Sequence, residues 1–534
     1  MDPIHILFGT ESNNAADLAD RAGSALQKAG FAAQVIDMGD FASDKLPQLR
    51  TLLVITSTYG NGDPPSNAEA LHAFLMKKCP ELPAIRFAVL ALGDKTYDRF
   101  CQCGKDFDRR LGELGAQRLL DRLDCDVDYE KPFKAWVPRV IEALGALAHD
   151  GSAEPRAPVV AVVEPQVAKP GTRRSPVSAT VTRLRRLSGE ASTKETLHVE
   201  LSLAGTGLRY QPGDSLGVWP TNDPVLVDEV LKAASCDADA EVALRGVVHE
   251  SSRGAGTMTL REALSTHVEL AHVDARLLEA VGHPAQGAAD GAGRHVLDVL
   301  LEAKRPIDAQ LLVESLRPMA PRPYSLASSL LAHPDEAHLT VDVVRYDLRG
   351  RRRHGVASSL FADRAPVGAS VPVYLHEAVH FRLPEDDVPI VMIGPGTGIA
   401  PFRAFLEERA ARGAKGRSWL FFGARNAATD FLYGDELTAF RDRGVLTRLD
   451  CAFSRDQARR VYVQDRMREH ARELHGWIAD GAVVYVCGDA KRMAPDVHQA
   501  LADVLAEAGG MSRDAAQGRL QAMADRGAYR RDVY

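Results

Sequence analysis

Short apolar runs alternate with amphipathic stretches along the first 148 residues. Ile4–Phe8, Ala33–Ile36, Leu52–Ile55 and Phe87–Leu92 have the unbroken apolar character of strands buried on both faces. Helical spacing follows Ala15, Asn67 and Cys103. That alternation predicts a parallel sheet covered by helices. From His149 to Pro176 the periodicity lapses, and five prolines among small residues suggest an extended tether. Val177 to about Gly217 is strand-like and includes the turn Tyr210-Gln211-Pro212-Gly213-Asp214. A helix-rich block follows, with Pro224–Ala234, Leu260–His267 and Val296–Leu301, before strand patterning returns at Arg322–Leu326 and His338–Tyr346. Strands interrupted in this way predict a β-barrel carrying an α-helical insert at about 220–315. From Val388 the βα alternation resumes in VPIVMIG, SWLFFGA and AVVYVCGD, each followed by helical spacing, the last running to the end of the sequence. The plan is multidomain: α/β over 1–148, a tether over 149–176, a barrel with helical insert over 177–384, and a second α/β domain over 385–534.

Composition narrows the classes. At about 150 residues per domain, 534 residues make three to four domains, and 45% hydrophobic with 26% charged residues is ordinary globular composition. The net charge of −7 disfavours nucleic-acid binding, which needs a basic surface. There is no run of eighteen apolar residues, so no obvious membrane span is expected. Met1–Phe8 lacks a basic segment followed by a long apolar one, and no export signal is read there. Seven cysteines at irregular spacing fit reduced thiols in the cytoplasm better than a disulfide framework. Cys101-Gln102-Cys103 has no second pair beside it, and no metal is expected. Through residue 148 there are 17 basic and 21 acidic residues, with Asp121, Asp124, Asp126, Asp128 and Glu130 crowded together. Such a run is either a solvated face or a docking patch for a basic partner.

Three loops of the first domain follow strands and carry chemistry. Thr10-Glu11-Ser12-Asn13-Asn14-Ala15 offers hydroxyls and free backbone N–H groups at a helix start, where a phosphate binds. No lysine follows, which excludes the nucleotide-hydrolysing P-loop pattern. Ser57-Thr58-Tyr59-Gly60-Asn61-Gly62-Asp63 and Leu92-Gly93-Asp94-Lys95-Thr96-Tyr97 each present one tyrosine among small residues. At the carboxyl edge of an open sheet, two tyrosines can sandwich a planar ring.

Further on, Arg322-Pro323-Tyr324-Ser325 supplies a cation, an aromatic face and a hydroxyl, the three requirements of a flavin dinucleotide. Gly355-Val356-Ala357-Ser358 precedes helix-like Ser359–Asp363 and suits a pyrophosphate. Gly394-Pro395-Gly396-Thr397-Gly398 follows an apolar strand and opens the helix Phe402–Ala411, the context a dinucleotide loop needs. Ser454, Arg455 and Arg460-Val461-Tyr462-Val463-Gln464 place two guanidiniums and hydroxyls in one segment, which suits a 2′-phosphate and hence NADP. Cys487-Gly488-Asp489 ends another apolar strand, where a nicotinamide would lie or a cysteine simply be buried.

The three first-domain loops resemble those of a flavodoxin, and the whole set of motifs, from about residue 4 to the ending Arg531-Asp532-Val533-Tyr534, resembles the diflavin reductases. Phe100–Asp108, Gly394–Phe405, Val461–Asp465 and the ending carry a narrower likeness, to the flavoprotein subunits of bacterial NADPH-dependent sulfite reductases. The resemblance implies a flavodoxin-like FMN domain, then a ferredoxin-NADP-reductase-like module of FAD barrel, connecting helical insert and NADP-binding domain. It implies that the first loop and its two neighbours, with Cys101, hold FMN. Thr340, Val341, Asp342, Tyr346 and the terminal ring of Tyr534 would join the RPYS and GVAS segments along FAD, and Asp496 would lie along NADP. Ser325, Cys487 and Asp532 would line the hydride-transfer site, with Tyr534 covering the flavin. Asn13 departs from the family, which usually has glycine there, although asparagine tolerates a left-handed backbone. The implied activity is an electron relay from NADPH through FAD and FMN to a haemoprotein, the beta subunit of sulfite reductase, in a homo- or hetero-oligomer without a membrane anchor. The alternatives are a soluble reductase for another acceptor, such as a cytochrome or nitrate reductase, and a non-catalytic electron carrier.

Overall fold

The structure is a computed structural model that describes residues 3–11, 13–59, 62–95, 99–149, 170–173, 175–244, 257–283 and 293–534. Most of the expected tether, and the site candidates Ser12, Gly60, Thr96 and Tyr97, lie outside the described residues. The chain forms two compact units, one of Met1–Lys169 with Thr221–Ala320 and one of Pro170–Pro220 with Pro321–Tyr534.

In the first unit the apolar runs become β1 (Ile4–Gly9), β2 (Ala33–Asp37), β3 (Thr51–Ser57), β4 (Arg86–Leu92) and the short β5 (Gln117–Arg118) and β6 (Leu123–Cys125). They pair in parallel in the order β2-β1-β3-β4-β5, with β6 also on β4. This is the doubly wound order of a flavodoxin-like sheet, whose switch point falls between β1 and β3. Helices α1 (Asn14–Lys28), α2 (Glu69–Lys77), α3 (Gln102–Glu113) and α4 (Glu130–His149) connect or follow the strands. Apolar side chains fill both sheet faces, one around Leu7, Val54 and Phe107, the other around Ile6, Leu53 and Trp136. Gly104 lets α3 lie directly on β4, because a Cβ there would stand 2.2 Å from the Ala91 Cβ.

Among its described residues, the insert of this unit holds five short helices around a leucine- and valine-rich core. Asp223, Thr259, Asp274 and Asp308 each cap one by accepting a backbone N–H, and Pro224 opens the first.

The second unit begins as an antiparallel sheet. Its order is Arg322–Ser325, β9 (Ser215–Val218), Ser370–His376, β7 (Val177–Arg186), β8 (Thr196–Ser202), Glu336–Asp342. A bridge between Leu326 and Leu339 joins the two ends and closes the barrel. The strand expected over His338–Tyr346 divides: Glu336–Asp342 stays in the barrel, and Arg345–Leu348 forms a hairpin with Arg351–His354. A five-stranded parallel sheet follows, ordered Arg448–Phe453, Ser418–Ala424, Ile390–Ile393, Val483–Gly488, Tyr529–Val533. Buried Phe402, Phe405, Phe422 and Tyr485 are part of its core.

Two expectations need correction. The Val356–Ala357–Ser358 segment is itself part of the helix: Val356–Ser359 forms its first turn and helical structure continues through Leu360–Arg364, so the start falls three residues before the expected Ser359. Nor does a helix run to the end. Met493–Gly509 and Arg513–Asp525 are helices, and Tyr529–Val533 is a strand parallel to Val483–Gly488. Five residues give too short a period-two signal to be seen locally, and only the waiting sheet edge stabilises them.

Candidate functional site

At the carboxyl edge of the first sheet, side chains tie the three loops together. Ser57 Oγ donates to the Gly9 carbonyl at 3.4 Å, and Thr58 Oγ1 accepts the Cys103 N–H at 3.2 Å, capping the start of α3. Asn67, which no sequence motif marked, takes the Thr10 N–H at 2.8 Å and donates to the Phe8 carbonyl and to Asp37 at 3.3 and 2.8 Å. Its signal, a lone polar residue before an amphipathic helix, is common to ordinary caps. Asn13 is left-handed, with φ 64°, and its side chain does not cap α1. The start of α1 thus has no cap from Asn13, and the first backbone N–H groups of such a helix start are the donor set a phosphate monoester fits. Glu11 and Asn14 are half-buried there, and Tyr59 lies on a tight turn closed by Asp63. Gly93 and Asp94 lead to Lys95, whose N–H is accepted by Asp126 at 3.1 Å. Three of the five crowded acidic residues thus have local partners: Asp124 pairs with Arg122, Asp126 with Lys95, and Glu130 with Arg21. Leu92, Ala15 and Cys101 have buried side chains, leaving only their backbone to face a ligand. Cys101 Sγ lies against the Ala91 and Cys125 carbonyls, and burial pushes its thiol up to about 12.

In the second unit, Arg322-Pro323-Tyr324-Ser325 pairs with β9, and Tyr324 meets Phe361 edge-on at 6.2 Å. Ser325 Oγ donates to Asp532 at 2.8 Å, and the Cys487 thiol faces the same carboxylate oxygen at 3.9 Å. Burial, reinforced by the Asp532 charge, holds Cys487 well above its ordinary range, as an uncharged thiol. Parallel pairing sets Cys487 opposite Asp532, so the terminal strand completes this cluster. Tyr534 follows: its N–H donates to Gly488 at 3.1 Å, its carbonyl accepts from Ala490 at 3.0 Å, and its hydroxyl meets Thr397 Oγ1 at 3.0 Å. The residue is 53% exposed although tied at three points.

Around this cluster the candidates divide. The Val356–Ser359 turn starts without a side-chain cap, and Ser358 Oγ spans the Val344 N–H and the Gly355 carbonyl. Thr340 and Val341 are buried, Thr340 against the Tyr433 hydroxyl at 2.8 Å and Val341 in the barrel core. Asp342 is paired with Lys194 at 2.5 Å, and Tyr346 is exposed on its hairpin. The loop Gly396–Ile399 is a single tight turn before the helix Ala400–Arg412, and a Cβ on Gly398 would stand 2.2 Å from the Cys487 carbonyl. At the end of Arg448–Phe453, Ser454 is held by the Ala424 carbonyl, while Arg455 and Arg460 are exposed and have no acidic partner among the described residues. Val461 is half-buried, Tyr462 is 42% exposed, Val463 is buried, and Gln464 reaches Asp496 at 3.1 Å. Two such guanidiniums and a glycine-lined helix entry, following strands of one parallel sheet, are the donor set that a phosphorylated dinucleotide fits.

The comparisons with known proteins agree with this geometry. The flavodoxin family model matches residues 6–136, the FAD binding domain model 169–304 and 285–360, and the oxidoreductase NAD-binding domain model 392–499. Fold and site together define a diflavin reductase, an NADPH-dependent oxidoreductase that takes FMN, FAD and NADPH. The sulfite reductase [NADPH] flavoprotein alpha-component of Bacillus subtilis is 44% identical, the match covering 99% of this chain and 89% of the relative. Those of Klebsiella pneumoniae and Escherichia coli O9:H4 are 42% identical over 99% and 100% of this chain and 90% of each relative. The chain belongs to the family of sulfite reductase flavoprotein alpha-components. Among the described residues no helix is long and apolar enough to cross a membrane.

Proposed function

We infer that the chain delivers NADPH electrons to a haemoprotein, the beta subunit of a sulfite reductase, in the cytoplasm. When bound, NADPH supplies an electron pair as hydride, and the two flavins divide it for a one-electron acceptor. The chain's own residues position these groups. Arg455 and Arg460 hold the 2′-phosphate, and the Gly396–Ile399 turn takes the pyrophosphate. Ser325 and the uncharged Cys487 thiol are oriented by the Asp532 carboxylate, to which both donate, and line the point of hydride transfer. Tyr534 covers the flavin face until the nicotinamide arrives. On the first sheet, the α1 start holds the FMN phosphate and the two neighbouring loops hold its ring. The observation that carries the reading is the meeting of Ser325, Cys487 and Asp532 on one carboxylate. All seven cysteines are free, which fits a reducing compartment.

The test mixes the purified chain with a sulfite reductase haemoprotein and follows sulfide formation from sulfite and NADPH. Flavin released by denaturation is separated in parallel, with one FMN and one FAD expected. NADPH–ferricyanide activity without sulfide formation, accompanied by turnover with a cytochrome or nitrate reductase, moves the acceptor. FAD alone, even after incubation with excess FMN, overturns the first site.

A further inference from the structure

Asn13, Asp17 and Arg21 recur every fourth residue and so share one face of α1. That face meets the helical insert of the same unit. Asn13 Nδ2 donates to the Met319 carbonyl at 2.7 Å, and Met319 N–H donates to His267 at 2.7 Å, so the acceptor is itself fixed in the insert. One turn on, Asp17 is 3.5 Å from Arg276, and Arg21 binds Asp17 and Glu130 at 3.0 and 2.7 Å. Arg276 and Arg317 share the buried Asp274 at 3.2 and 3.3 Å, and Arg317 stands 6.0 Å over the Tyr129 ring. Burial alone would raise the Asp274 carboxyl, but the two arginines hold it below the ordinary range. Burial pushes Tyr129 up to about 12.

Asn13 thus has two jobs at once. Its left-handed backbone shapes the start of α1, and its side chain, which would ordinarily cap that start, is spent on the insert. We propose that Asn13 couples binding of the FMN phosphate to docking of the flavodoxin sheet on the helical insert. The inference rests on the FMN site described above. When the insert is docked, the Met319 carbonyl holds the Asn13 side chain away and keeps the left-handed turn. When it separates, the side chain is released to hydrogen-bond locally, and the loop loses its set shape. Glycine at this position offers the same backbone and no tie. By thermodynamic reciprocity, FMN tightens docking by the factor by which docking tightens FMN.

The experiment is a double-mutant cycle on the full-length chain stripped of FMN, read as FMN affinity from flavin fluorescence. Asn13→Gly is expected to weaken FMN by about 2–10-fold, the range of one net hydrogen bond. Arg276→Gln touches no part of the phosphate loop, yet is expected to weaken FMN in the parent chain and to have little effect in the Asn13→Gly background. Hydrogen exchange at the Met319 amide gives a second readout: FMN should slow it in the parent and leave it unchanged in Asn13→Gly. Equal effects of Arg276→Gln in both backgrounds, or Met319 exchange indifferent to FMN, overturn the coupling while leaving the site intact. A parent chain that binds no FMN overturns the site and the coupling together.

Discussion

The two parallel sheets present ligand loops at the same edge, but the distances along the chain that assemble them differ. In the first, Ser57, Thr58 and Asn67 tie the loops across at most 59 positions. In the second, Ser325 and Asp532 meet across 207, because a terminal strand pairs beside Val483–Gly488. A site knit from neighbouring loops depends on one domain's fold. One knit from a barrel strand, a central strand and a terminal strand depends on all three registers, so a shift of one residue in the last pairing would turn Asp532 away. The second cluster forms where a barrel strand meets the parallel sheet, whereas the ties among the first three loops stay within one sheet and Asn13 carries them on to the insert.

The largest effect is expected within the second sheet but from a local loop. Replacing both Arg455 and Arg460 by alanine should raise KM for NADPH by about 10²–10³-fold, two charge-assisted hydrogen bonds being lost, and leave NADH kinetics nearly unchanged. Equal losses with both nucleotides would give these arginines a structural role. Next, Asp532→Asn should lower the NADPH–ferricyanide rate by about 10²-fold, in the range of general acid–base contributions, while FMN content stays the same. Loss of FMN along with rate would break the contrast between the two clusters.

Acid should separate the two units. His198 and His338 are buried in the barrel, their Nδ1 atoms facing the Tyr433 hydroxyl at 2.9 Å and Arg403 at 3.5 Å. Glu200 and Glu336 at their Nε2 atoms favour protonation, but burial, and then the Arg403 charge, push them down to about 2 and about 3. The unfolded imidazoles bind protons near pH 6.5 and the folded ones do not. The second unit therefore keeps this stability above about pH 6.5 and loses up to about 1.4 kcal/mol per pH unit for each imidazole as the pH falls towards 3. His333, raised mainly by its bond to Glu407, works the other way and offsets part of the loss. In the first unit Asp274 is held low, so its contribution persists down to about pH 4 and fades only below that. Calorimetry from pH 7 to 5 should lower the melting of the second unit first; a single concerted decline would contradict it. The smallest effect belongs to Tyr534. Its removal should tighten NADP⁺ by about 2–10-fold, the value of one aromatic stack, and make product release limit turnover. Unchanged affinity and turnover would mean that the ring is not a gate.

Much of this was legible in the residues. The runs Ile4–Phe8, Leu52–Ile55 and Phe87–Leu92 became β1, β3 and β4, and Pro224–Ala234 and Val296–Leu301 became helices at those bounds. The strands are unbroken apolar runs and the helices have amphipathic spacing between clear stops, so local sequence decides them. Asn67 stayed hidden because its partners, Thr10, Phe8 and Asp37, are distant in sequence. Tyr529–Val533 stayed hidden because Arg530, Arg531 and Asp532 break any apolar run and the segment follows two helices.

What the sequence determined by itself is the element order, the domain classes and the chemistry of each strand-end loop, since periodicity, capping and glycine placement act over a few residues. What only the tertiary structure decided is which of those groups meet. Ser325 with Asp532, Asn13 with Met319 and the closure of Leu326 on Leu339 depend on sheet register and packed cores. Those are set by the burial of side chains distant in sequence, which no local window contains.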